Sequence, residues 1–286
     1  MDNKKVLILT FREDKHSEAV EQELERRSVP YFTIFTEDLI KDYSFAFNSR
    51  EGSYAISDSN RKEIIDNNWI IWNRRISDPE LPFNNQDLGR IVYDETFRTW
   101  QGLLFSHTGK VVNRPYAEMW ANNKATNLLY AKSRGILIPD TLITNSPCDF
   151  TSFYCDKRKE GKDLCHKLQK AAIVFQDGED YVTYTNKVDE KATLKSDLIR
   201  THPNMFQEYI DKEYDLRISA FEDRAIGIAI YSQESDLSKV DFRRYDFDNV
   251  PYKHVELSNE IEEFSVGILK HYGLSFGALD FVKSKD

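Results

Sequence analysis

The sequence predicts a mixed α/β and α+β fold, and three observations support this prediction. A β-α-β pattern opens the chain: the apolar run Val6–Thr10 is followed by a helix with Val20 and Leu24 and by the strand Tyr31–Ile34. A compact segment of short helices and strands follows Asn145, and alternating strands return in the last third. At 286 residues, the chain is long enough for about two domains or for one large α/β domain.

The first half of the chain continues with two predicted helices and three short strands. An apolar stripe predicts a helix over Gln86–His107. A second long helix is predicted over Glu118–Arg134, and it ends at Gly135 because glycine readily adopts the left-handed backbone that closes a helix. The strands predicted in this region are Trp69–Asn73, Val111–Asn113 and Thr141–Thr144.

The pattern changes near residues 145–147 to a compact α+β segment. A helix is predicted near Asp149–Lys159, and a short strand at Leu164–Leu168. Two aromatic-containing runs flank the turn sequence QDGED, which is typical of a β-hairpin. The three parts of this hairpin are Ala171–Phe175, Gln176–Asp180 and Tyr181–Thr185.

The last third of the chain predicts an antiparallel sheet and one helix. Tyr214–Phe221 and Ala225–Tyr231 alternate apolar and polar residues with the period of a half-buried strand. Asn259 and Glu262 form a capping box for a helix that ends at Gly273. Two further strands are predicted at Met205–Ile210 and Ala278–Val282.

Composition excludes several classes of function. The chain has 39 basic and 48 acidic residues, a formal net charge of −9, which disfavours a general nucleic-acid-binding surface. Its apolar runs are far shorter than the roughly 18 residues of a membrane-spanning helix. Val6–Leu9 is followed at once by charged residues, so no signal peptide is expected and the cytoplasm is the predicted location. Three cysteines fit neither a disulfide framework nor a zinc site.

The polar segment FQEYIDKEYDLRI (Phe206–Ile218) is the strongest candidate for chemistry. The common phosphate-loop, dinucleotide, zinc-protease and nucleophile-elbow motifs are absent from the sequence. In the second strand of this segment, Asp215 and Arg217 are two residues apart and are therefore expected on one face. An aspartate that orients an arginine would suit binding of a phosphate or carboxylate, although a surface ion pair explains the same pattern.

This segment resembles the hinge of ATP-grasp ligases, and the whole chain resembles the graspetide macrocyclases of the microviridin and plesiocin type. The other segments that carry the resemblance are IIWNRR (Ile70–Arg75), Val111–Asn145, Lys239–Tyr252 and Tyr272–Val282. The resemblance implies an ATP-grasp fold in three parts. These are an N-terminal Rossmann-like pre-ATP-grasp domain over residues 1–115, a central lid over 116–205 and a C-terminal antiparallel-sheet domain over 206–286.

The resemblance implies a set of nucleotide-binding residues. Lys124 and Lys167 correspond to lysines that contact the nucleotide, and Lys167 is expected at the α and β phosphates. Glu208 and Ile210 are expected to meet adenine through their backbone, Tyr209 to line the site and Glu213 to hold the ribose. Lysine suits phosphate binding because it carries a mobile point charge.

The resemblance also implies catalytic and peptide-binding residues. Arg217, oriented by Asp215, is expected near the γ-phosphate and the carboxylate that is activated, where negative charge spreads during transfer. Asp241 and Arg243 match the family's D-x-R element, which is expected at the acidic side chain of the peptide, with Arg244 as their neighbour. If this element is a strand, adjacent arginines point to opposite faces.

Asp280 in GALDF resembles the first of three magnesium ligands. In the family the chain continues into a hairpin with a Glu and an Asn as the other two, whereas this sequence ends at Asp286. The expectation is a chain that was cut short, a chain given only as far as it is ordered, or a natural nucleotide-binding remnant without catalysis, and the first two are favoured. The segment Leu168–Phe175 also lacks the glycine-rich phosphate-covering loop that many ATP-grasp enzymes have.

The function implied by the resemblance is an ATP- and Mg²⁺-dependent macrocyclase. It would phosphorylate Glu or Asp side chains of a precursor peptide, with a leader and a Thr/Glu-rich core, and form esters with Thr or Ser or amides with Lys. A small-molecule carboxylate–amine ligase and a non-catalytic nucleotide- or peptide-binding module are the alternatives. No nucleic acid or membrane partner is expected, and a homodimer is left open.

Overall fold

The computed structural model describes residues 4–81, 85–170, 173–176 and 179–285. The chain forms two compact units. The first contains Met1–Trp120 and Tyr272–Phe276, and the second contains Ala121–His271 and Gly277–Asp286. Within the described ranges, no helix is long and apolar enough to cross a membrane.

The first unit contains two sheets and two long helices. Its elements are β1 (Lys5–Thr10), α1 (Lys15–Arg26), β2 (Tyr31–Phe35), β3 (Ser44–Asn48), β4 (Ser53–Ser57), β5 (Lys62–Ile65), β6 (Trp69–Asn73), α2 (Gln86–Ser106), β7 (Val111–Val112) and α3 (Pro115–Ala121). The predicted β-α-β opening, the strand Trp69–Asn73 and the long helix α2 are confirmed. Asp14 caps α1 by accepting a hydrogen bond from the backbone N–H of His16.

A parallel four-stranded sheet organises this unit, in the order β2-β1-β6-β7. Leu7 of β1 pairs with Phe32 and with Ile71, and all three side chains are almost completely buried. Near-continuous apolar runs are what a parallel sheet needs, because both of its faces are covered. Burial on this scale contributes about 1.5–3 kcal/mol for each large apolar side chain.

The sequence patterns above did not predict the antiparallel sheet β3-β4-β5. Its β3–β4 turn contains Gly52, whose φ of +61° lies in the left-handed region that favours glycine. Ile56 and Ile65 join the core of the unit, and the Phe45 ring lies 5.0 Å from that of Trp100. Alternating aromatic and small residues in SFAFN and SYAIS are the signal that could have identified it.

Polar groups gather at the carboxyl edge of the parallel sheet, where β1, β6 and β7 end. Asp14 is buried and forms an ion pair with Arg74, whose Nε lies 3.3 Å from Oδ2. Burial raises the pKa of Glu118 to about 7, although a hydrogen bond with Asn113 opposes the shift. Glu118 is therefore a half-buried carboxyl group that is partly protonated near neutral pH.

The prediction of one helix over Glu118–Arg134 is wrong. The segment forms α3, which ends at Ala121, and α4 (Lys124–Ser133). The physical reason is Asn123, whose side chain accepts a hydrogen bond from the Thr126 N–H at 3.1 Å and so caps a new helix. This break places Lys124 at the first position of α4.

The second unit contains the remaining elements. They are α4, β8 (Thr141–Thr144), α5 (Pro147–Lys159), β9 (Leu164–Lys167), β10 (Ile173–Gln176), β11 (Glu179–Val182), β12 (Asn186–Lys187), α6 (Glu190–Leu194), β13 (Asn204–Glu208), β14 (Lys212–Phe221), β15 (Arg224–Ile230), β16 (Tyr252–Val255), α7 (Asn259–Tyr272) and β17 (Phe276–Ser284). The predicted antiparallel hairpin is confirmed as β10 and β11. Residues 171–172 and 177–178 of that prediction lie outside the described residues.

Two four-stranded sheets form most of this unit. The first has the order β12-β9-β13-β8 and packs on α5 through Phe150, Leu164 and Phe206. The second has the order β16-β15-β14-β17, and the pairing of Ile218 with Gly227 fixes the register of β14 and β15. In the first sheet β13 pairs antiparallel with β8 and β9, and in the second β15 pairs antiparallel with β14 and β16.

Candidate active site

Three cationic side chains and one carboxylate share one region of the second unit. Lys124 begins α4, Lys167 ends β9, Arg243 lies in a short 3₁₀ turn and Asp280 lies in β17. Burial lowers the pKa of Lys124, and the positive charges of Lys167 and Arg243 lower it further, whereas Asp280 opposes the shift. This region therefore concentrates positive charge within an acidic chain and favours an anion with several oxygens.

Lys167 is held by a neighbouring strand. Its Nζ donates a hydrogen bond to Gln207 Oε1 at 2.9 Å, and Gln207 donates to Thr141 Oγ1, also at 2.9 Å. Gln207 is buried in β13, in a strand that pairs directly with β9. Gln207 is not among the residues predicted for this site. Its place immediately before Glu208 in the hinge segment was the available signal.

Arg217 forms an ion pair with Asp280 rather than with Asp215. Its Nη1 lies 2.6 Å from Asp280 Oδ1, and β14 and β17 are neighbours in the sheet. Asp215 instead is buried and accepts hydrogen bonds from Lys212 Nζ at 2.8 Å and Ser232 Oγ at 2.5 Å. The expected orientation of Arg217 by Asp215 is therefore corrected, because a closer cation and a buried hydroxyl occupy that carboxylate.

The hinge between β13 and β14 has defined backbone contacts. The N–H of Glu208 donates to the Asp140 carbonyl and that of Tyr209 to the Asp163 carbonyl, both at 2.8 Å. Glu208 can therefore meet an adenine edge through its carbonyl oxygen and not through its amide, and Ile210 is the residue of the predicted pair that would supply the N–H. The adenine contacts stay a prediction.

Side chains around the hinge are charged or aromatic. Lys187 Nζ lies 3.9 Å from the ring centroid of Tyr209, and the carboxylate of Glu208 pairs with Lys162 at 2.9 Å. Glu213 lies at the start of β14 and is exposed to solvent. The roles of Tyr209 at the adenine base and of Glu213 at the ribose of a nucleotide stay predictions.

The D-x-R element is a 3₁₀ turn, Phe242–Arg244, so the alternation argued for a strand does not apply. Arg243 Nε donates to Asp241 Oδ1 at 2.8 Å, and the Thr185 N–H donates to Asp241 Oδ2 at 2.7 Å. Burial opposes ionisation of Asp241, but these hydrogen bonds hold its pKa well below the ordinary value. Asp241 is therefore ionised at neutral pH and fixes Arg243.

Arg244 lies on the same turn and has separate partners. Its Nη2 donates to Asn186 Oδ1 at 3.0 Å, and its guanidinium carbon lies 4.9 Å from the ring centroid of Tyr184. Its Nε is buried and has no hydrogen-bond acceptor among the residues that the structure describes. A contact between Arg244 and a peptide stays a prediction.

A metal site made by the protein alone is not formed within the described part of the chain. There, no group of three or more His, Cys, Asp or Glu side chains is arranged to hold a metal ion. Asp280 supplies a hard oxygen ligand of the kind that Mg²⁺ prefers. Mg²⁺ is commonly held by one or two carboxylates together with substrate phosphates, so this donor fits a metal that arrives with a nucleotide.

Comparison with solved structures decides the fold. An ATP-grasp ligase from Chryseobacterium gregarium, associated with ribosomally made peptides and solved with ADP, a leader and a core peptide, superimposes with a TM-score of 0.88 at 22% identity, over 99% of this chain and 86% of that chain. The chain has the ATP-grasp fold. No protein-family model matches the sequence, and no curated protein matches it.

Two further solved structures are similar to this chain. The macrocyclase MdnC from Microcystis aeruginosa, bound to the precursor peptide MdnA, gives a TM-score of 0.85 at 23% identity and covers 99% of this chain and 88% of that chain. D-alanyl-alanine synthetase A from Vibrio cholerae gives 0.60 at 13% identity, over 100% and 86%. The predicted ATP-grasp fold is confirmed, and its three-domain division stays a prediction.

Proposed function

We propose that the chain is an ATP-dependent ligase that forms macrocycles in a precursor peptide. The observation that carries the proposal is the shared region of Lys124, Lys167 and Arg243 beside Asp280. Such a cluster suits the phosphates of a nucleotide and a carboxylate acceptor at the same time. The higher TM-scores with peptide ligases than with D-alanyl-alanine synthetase A support a peptide substrate over a small molecule.

The proposed nucleotide site uses the cations on α4 and β9. Lys124 and Lys167 would neutralise the phosphates, and Gln207 would hold Lys167 in place through the 2.9 Å hydrogen bond. The hinge backbone at Glu208 and Ile210 would bind the base, with Tyr209 on the wall of the site and Glu213 at the ribose.

The reaction would proceed in two balanced steps. A Glu or Asp carboxylate oxygen of the peptide attacks the γ-phosphorus of ATP, which forms an acyl phosphate and releases ADP. A Thr or Ser hydroxyl, or a Lys amine, then attacks the acyl carbon, loses its proton, and displaces inorganic phosphate. Each ring removes one water from the peptide. Arg217 and Arg243 would stabilise negative charge on the transferring phosphoryl group and hold the carboxylate.

Mg²⁺ is the metal that the donor set at Asp280 fits. When bound, it would neutralise charge on the phosphate oxygens during transfer. Asp280 would hold the metal, and Arg217, its ion-pair partner in this structure, would bind an oxyanion.

The proposed partner is an acidic precursor peptide with a leader and a Thr/Glu-rich core. An acidic side chain suits the guanidinium of Arg243, whose pKa is raised by its hydrogen bond with Asp241. Nucleic acid is not proposed as a partner because the chain carries a net charge of −9. We propose the cytoplasm as the location, and a homodimer is left open.

The test is mass spectrometry of a peptide incubated with the protein, ATP and Mg²⁺. The substrate is an acidic, Thr-rich peptide encoded by a short reading frame beside the gene for this chain. We expect the loss of one water mass for each ring. ATP turnover without peptide dehydration would instead support a small-molecule ligase, and nucleotide binding without turnover would support a binding module.

A further inference from the structure

The two arginines of the Phe242–Arg244 turn have different tasks. Arg243 pairs with Asp241 in its own turn, whereas Arg244 contacts Tyr184 and Asn186, almost sixty residues earlier in the chain. Arg244 therefore joins the turn to another part of the second unit.

Asp241 uses all of its acceptor capacity inside the protein. Oδ1 accepts from the backbone N–H and the Nε of Arg243, at 3.1 and 2.8 Å, and Oδ2 accepts from the Thr185 N–H and from Arg243 Nη2. A carboxylate has about four lone-pair sites, so these four donors fill them. The side chain is also only 4% exposed. Asp241 therefore fixes Arg243 and Thr185 and has no oxygen to offer to a substrate.

Thr185 and Asn186 connect this turn to the strand that carries Lys167. Thr185 is buried, and Asn186 begins β12, which pairs with β9 so that Asn186 lies opposite His166. His166 is the residue next to Lys167. The side-chain Nδ2 of Asn186 also donates a hydrogen bond to the Tyr184 carbonyl at 3.0 Å, which helps to fix the conformation of this short segment.

We propose that Thr185, Asn186, Asp241 and Arg244 form a clamp that positions Arg243 relative to Lys167. The proposal rests on the proposed function in one respect, the assignment of Arg243 to the substrate carboxylate. The clamp holds the turn from two sides: Asp241 accepts from the Thr185 amide, and Arg244 donates to the Asn186 side chain. Positioning matters because a misplacement of about 1 Å can reduce the rate about 100-fold.

The clamp also passes through the segment that follows the β10–β11 hairpin. Residues 183–185 connect β11 to β12, and Thr185 and Asn186 at the end of this connection are the residues that hold Asp241 and Arg244. Arg244, Asn186 and Asp241 are positioning residues in this proposal, and Arg243 is the group that contacts substrate.

The experiment compares Asn186→Ala and Arg244→Ala with the conservative variant Asn186→Asp. Asn186→Asp keeps the oxygen acceptor for Arg244 but loses the side-chain donor to the Tyr184 carbonyl, so it should retain more activity than Asn186→Ala. Arg224→Ala is the matched control, because Arg224 is an arginine of the same unit with a 74% exposed side chain. For each protein, kcat and KM are measured for peptide dehydration, together with the Kd of ADP.

We expect Asn186→Ala and Arg244→Ala to lower kcat for dehydration by about 10-fold, with the Kd of ADP within about 2-fold of wild type. Asn186→Asp and Arg224→Ala should stay within about 3-fold of wild type in kcat. Equal losses in dehydration and ADP binding, or an Asn186→Asp variant that is no more active than Asn186→Ala, would overturn the positioning role.

Hydrogen exchange tests the clamp without using activity. We expect Arg244→Ala to accelerate exchange of the Thr185 amide and of residues 241–245, while Arg224→Ala leaves both unchanged. Unchanged exchange in Arg244→Ala would overturn the clamp even if the enzyme is active. If Arg244→Ala accelerates exchange but the wild-type protein dehydrates no peptide, the clamp is supported and the proposed function is rejected. The two failures are therefore distinguishable.

Discussion

Arg217 Nη1 lies 2.6 Å from Asp280 Oδ1, on neighbouring strands of the second unit. Their side chains are 42% and 51% exposed, so solvent screens this ion pair and it contributes little to stability. Its importance is in the proposed reaction, in which each member needs another partner. The proposed reaction assigns the guanidinium to an oxyanion and the carboxylate to Mg²⁺, so we expect binding of the substrates to separate them.

Replacement of Asp280 should change the requirement for Mg²⁺. We expect Asp280→Asn to raise the Mg²⁺ concentration for half-maximal ADP binding by about 10-fold, because a neutral amide is a weaker ligand for a hard cation. Nucleotide fluorescence titrated with Mg²⁺ measures this. Asp236→Asn is the control, since the Asp236 side chain is 97% exposed. An unchanged Mg²⁺ requirement would contradict the assignment of Asp280.

Removal of the Lys167 charge should weaken nucleotide binding. Lys167→Ala eliminates a charge-assisted contact with phosphate worth about 1.5–3 kcal/mol, so we expect the Kd of a nonhydrolysable ATP analogue to rise at least 10-fold. Gln207→Ala should have a smaller effect, because it removes only the hydrogen bond that holds the lysine. Calorimetry with Lys159→Ala, a lysine with a 75% exposed side chain, provides the control. Equal affinities in Lys167→Ala and the control would reject the phosphate contact.

Arg243→Ala should separate peptide processing from nucleotide binding. We expect peptide dehydration to fall by 100-fold or more, because a guanidinium positioned at the reacting carboxylate is lost, while the Kd of ADP changes about 3-fold or less. Mass spectrometry of the peptide and nucleotide titration give the two values. A matched decrease in both would show that Arg243 serves the nucleotide.

The buried Lys212–Asp215 pair should prove structural. Lys212→Met leaves Asp215 without its cation in a buried position, and we expect a loss of about 3 kcal/mol in the free energy of unfolding. The double variant Lys212→Met with Asp215→Leu should be more stable than the single variant, because no uncompensated charge remains. Urea denaturation measures both. A double variant less stable than Lys212→Met alone would contradict this interpretation of Asp215.

Glu118 should make the stability of the protein depend on pH. Its pKa is about 7 in the folded chain and 4.5 in the ordinary state, so the folded chain binds more protons between these values. Stability from this group is therefore present below pH 4.5 and decreases as the pH rises through 7, by about 2–3 kcal/mol.

Glu118→Gln removes this titration. The gain in the free energy of unfolding of Glu118→Gln over wild type should therefore be larger at pH 8 than at pH 4.5. Urea denaturation at both pH values gives the two differences. Glu95→Gln, at an exposed position on α2, is the control and should show no such increase. A difference between Glu118→Gln and wild type that does not vary with pH would contradict burial of this carboxyl group.

Sequence patterns predicted the elements whose own side chains determine them. Val6–Thr10 is a continuous apolar run, and its burial in a parallel sheet follows from that alone. The β3-β4-β5 sheet was missed because its strands are largely exposed or half-buried and so lack a continuous apolar run, and because contacts with Trp100, far along the chain, stabilise it. The single helix over Glu118–Arg134 was wrong because apolar periodicity continues across Asn123, whereas its side-chain cap starts a second helix.

The candidate site was predicted unevenly for a similar reason. The resemblance identified Lys124, Lys167, Arg243 and Asp280, and the structure brings these four residues together from distant parts of the sequence. The resemblance could not predict which side chains these residues contact. Asp215 is two residues from Arg217, but its carboxylate is occupied by Lys212 and Ser232. Gln207 was missed because a neutral amide gives no charge signal in a strand.

The first unit is discontinuous along the chain, and this limits how the protein can be dissected. Ser275 and Phe276 donate their backbone N–H groups to Asn113 Oδ1, at 2.9 and 3.2 Å, and Asn113 Nδ2 donates to the Phe276 carbonyl. A fragment that stops at Trp120 would expose these buried polar groups of Asn113 and lose the strand-end segment that satisfies them. A recombinant version of this unit therefore needs residues 272–276 grafted onto it, by a linker or as a separate peptide.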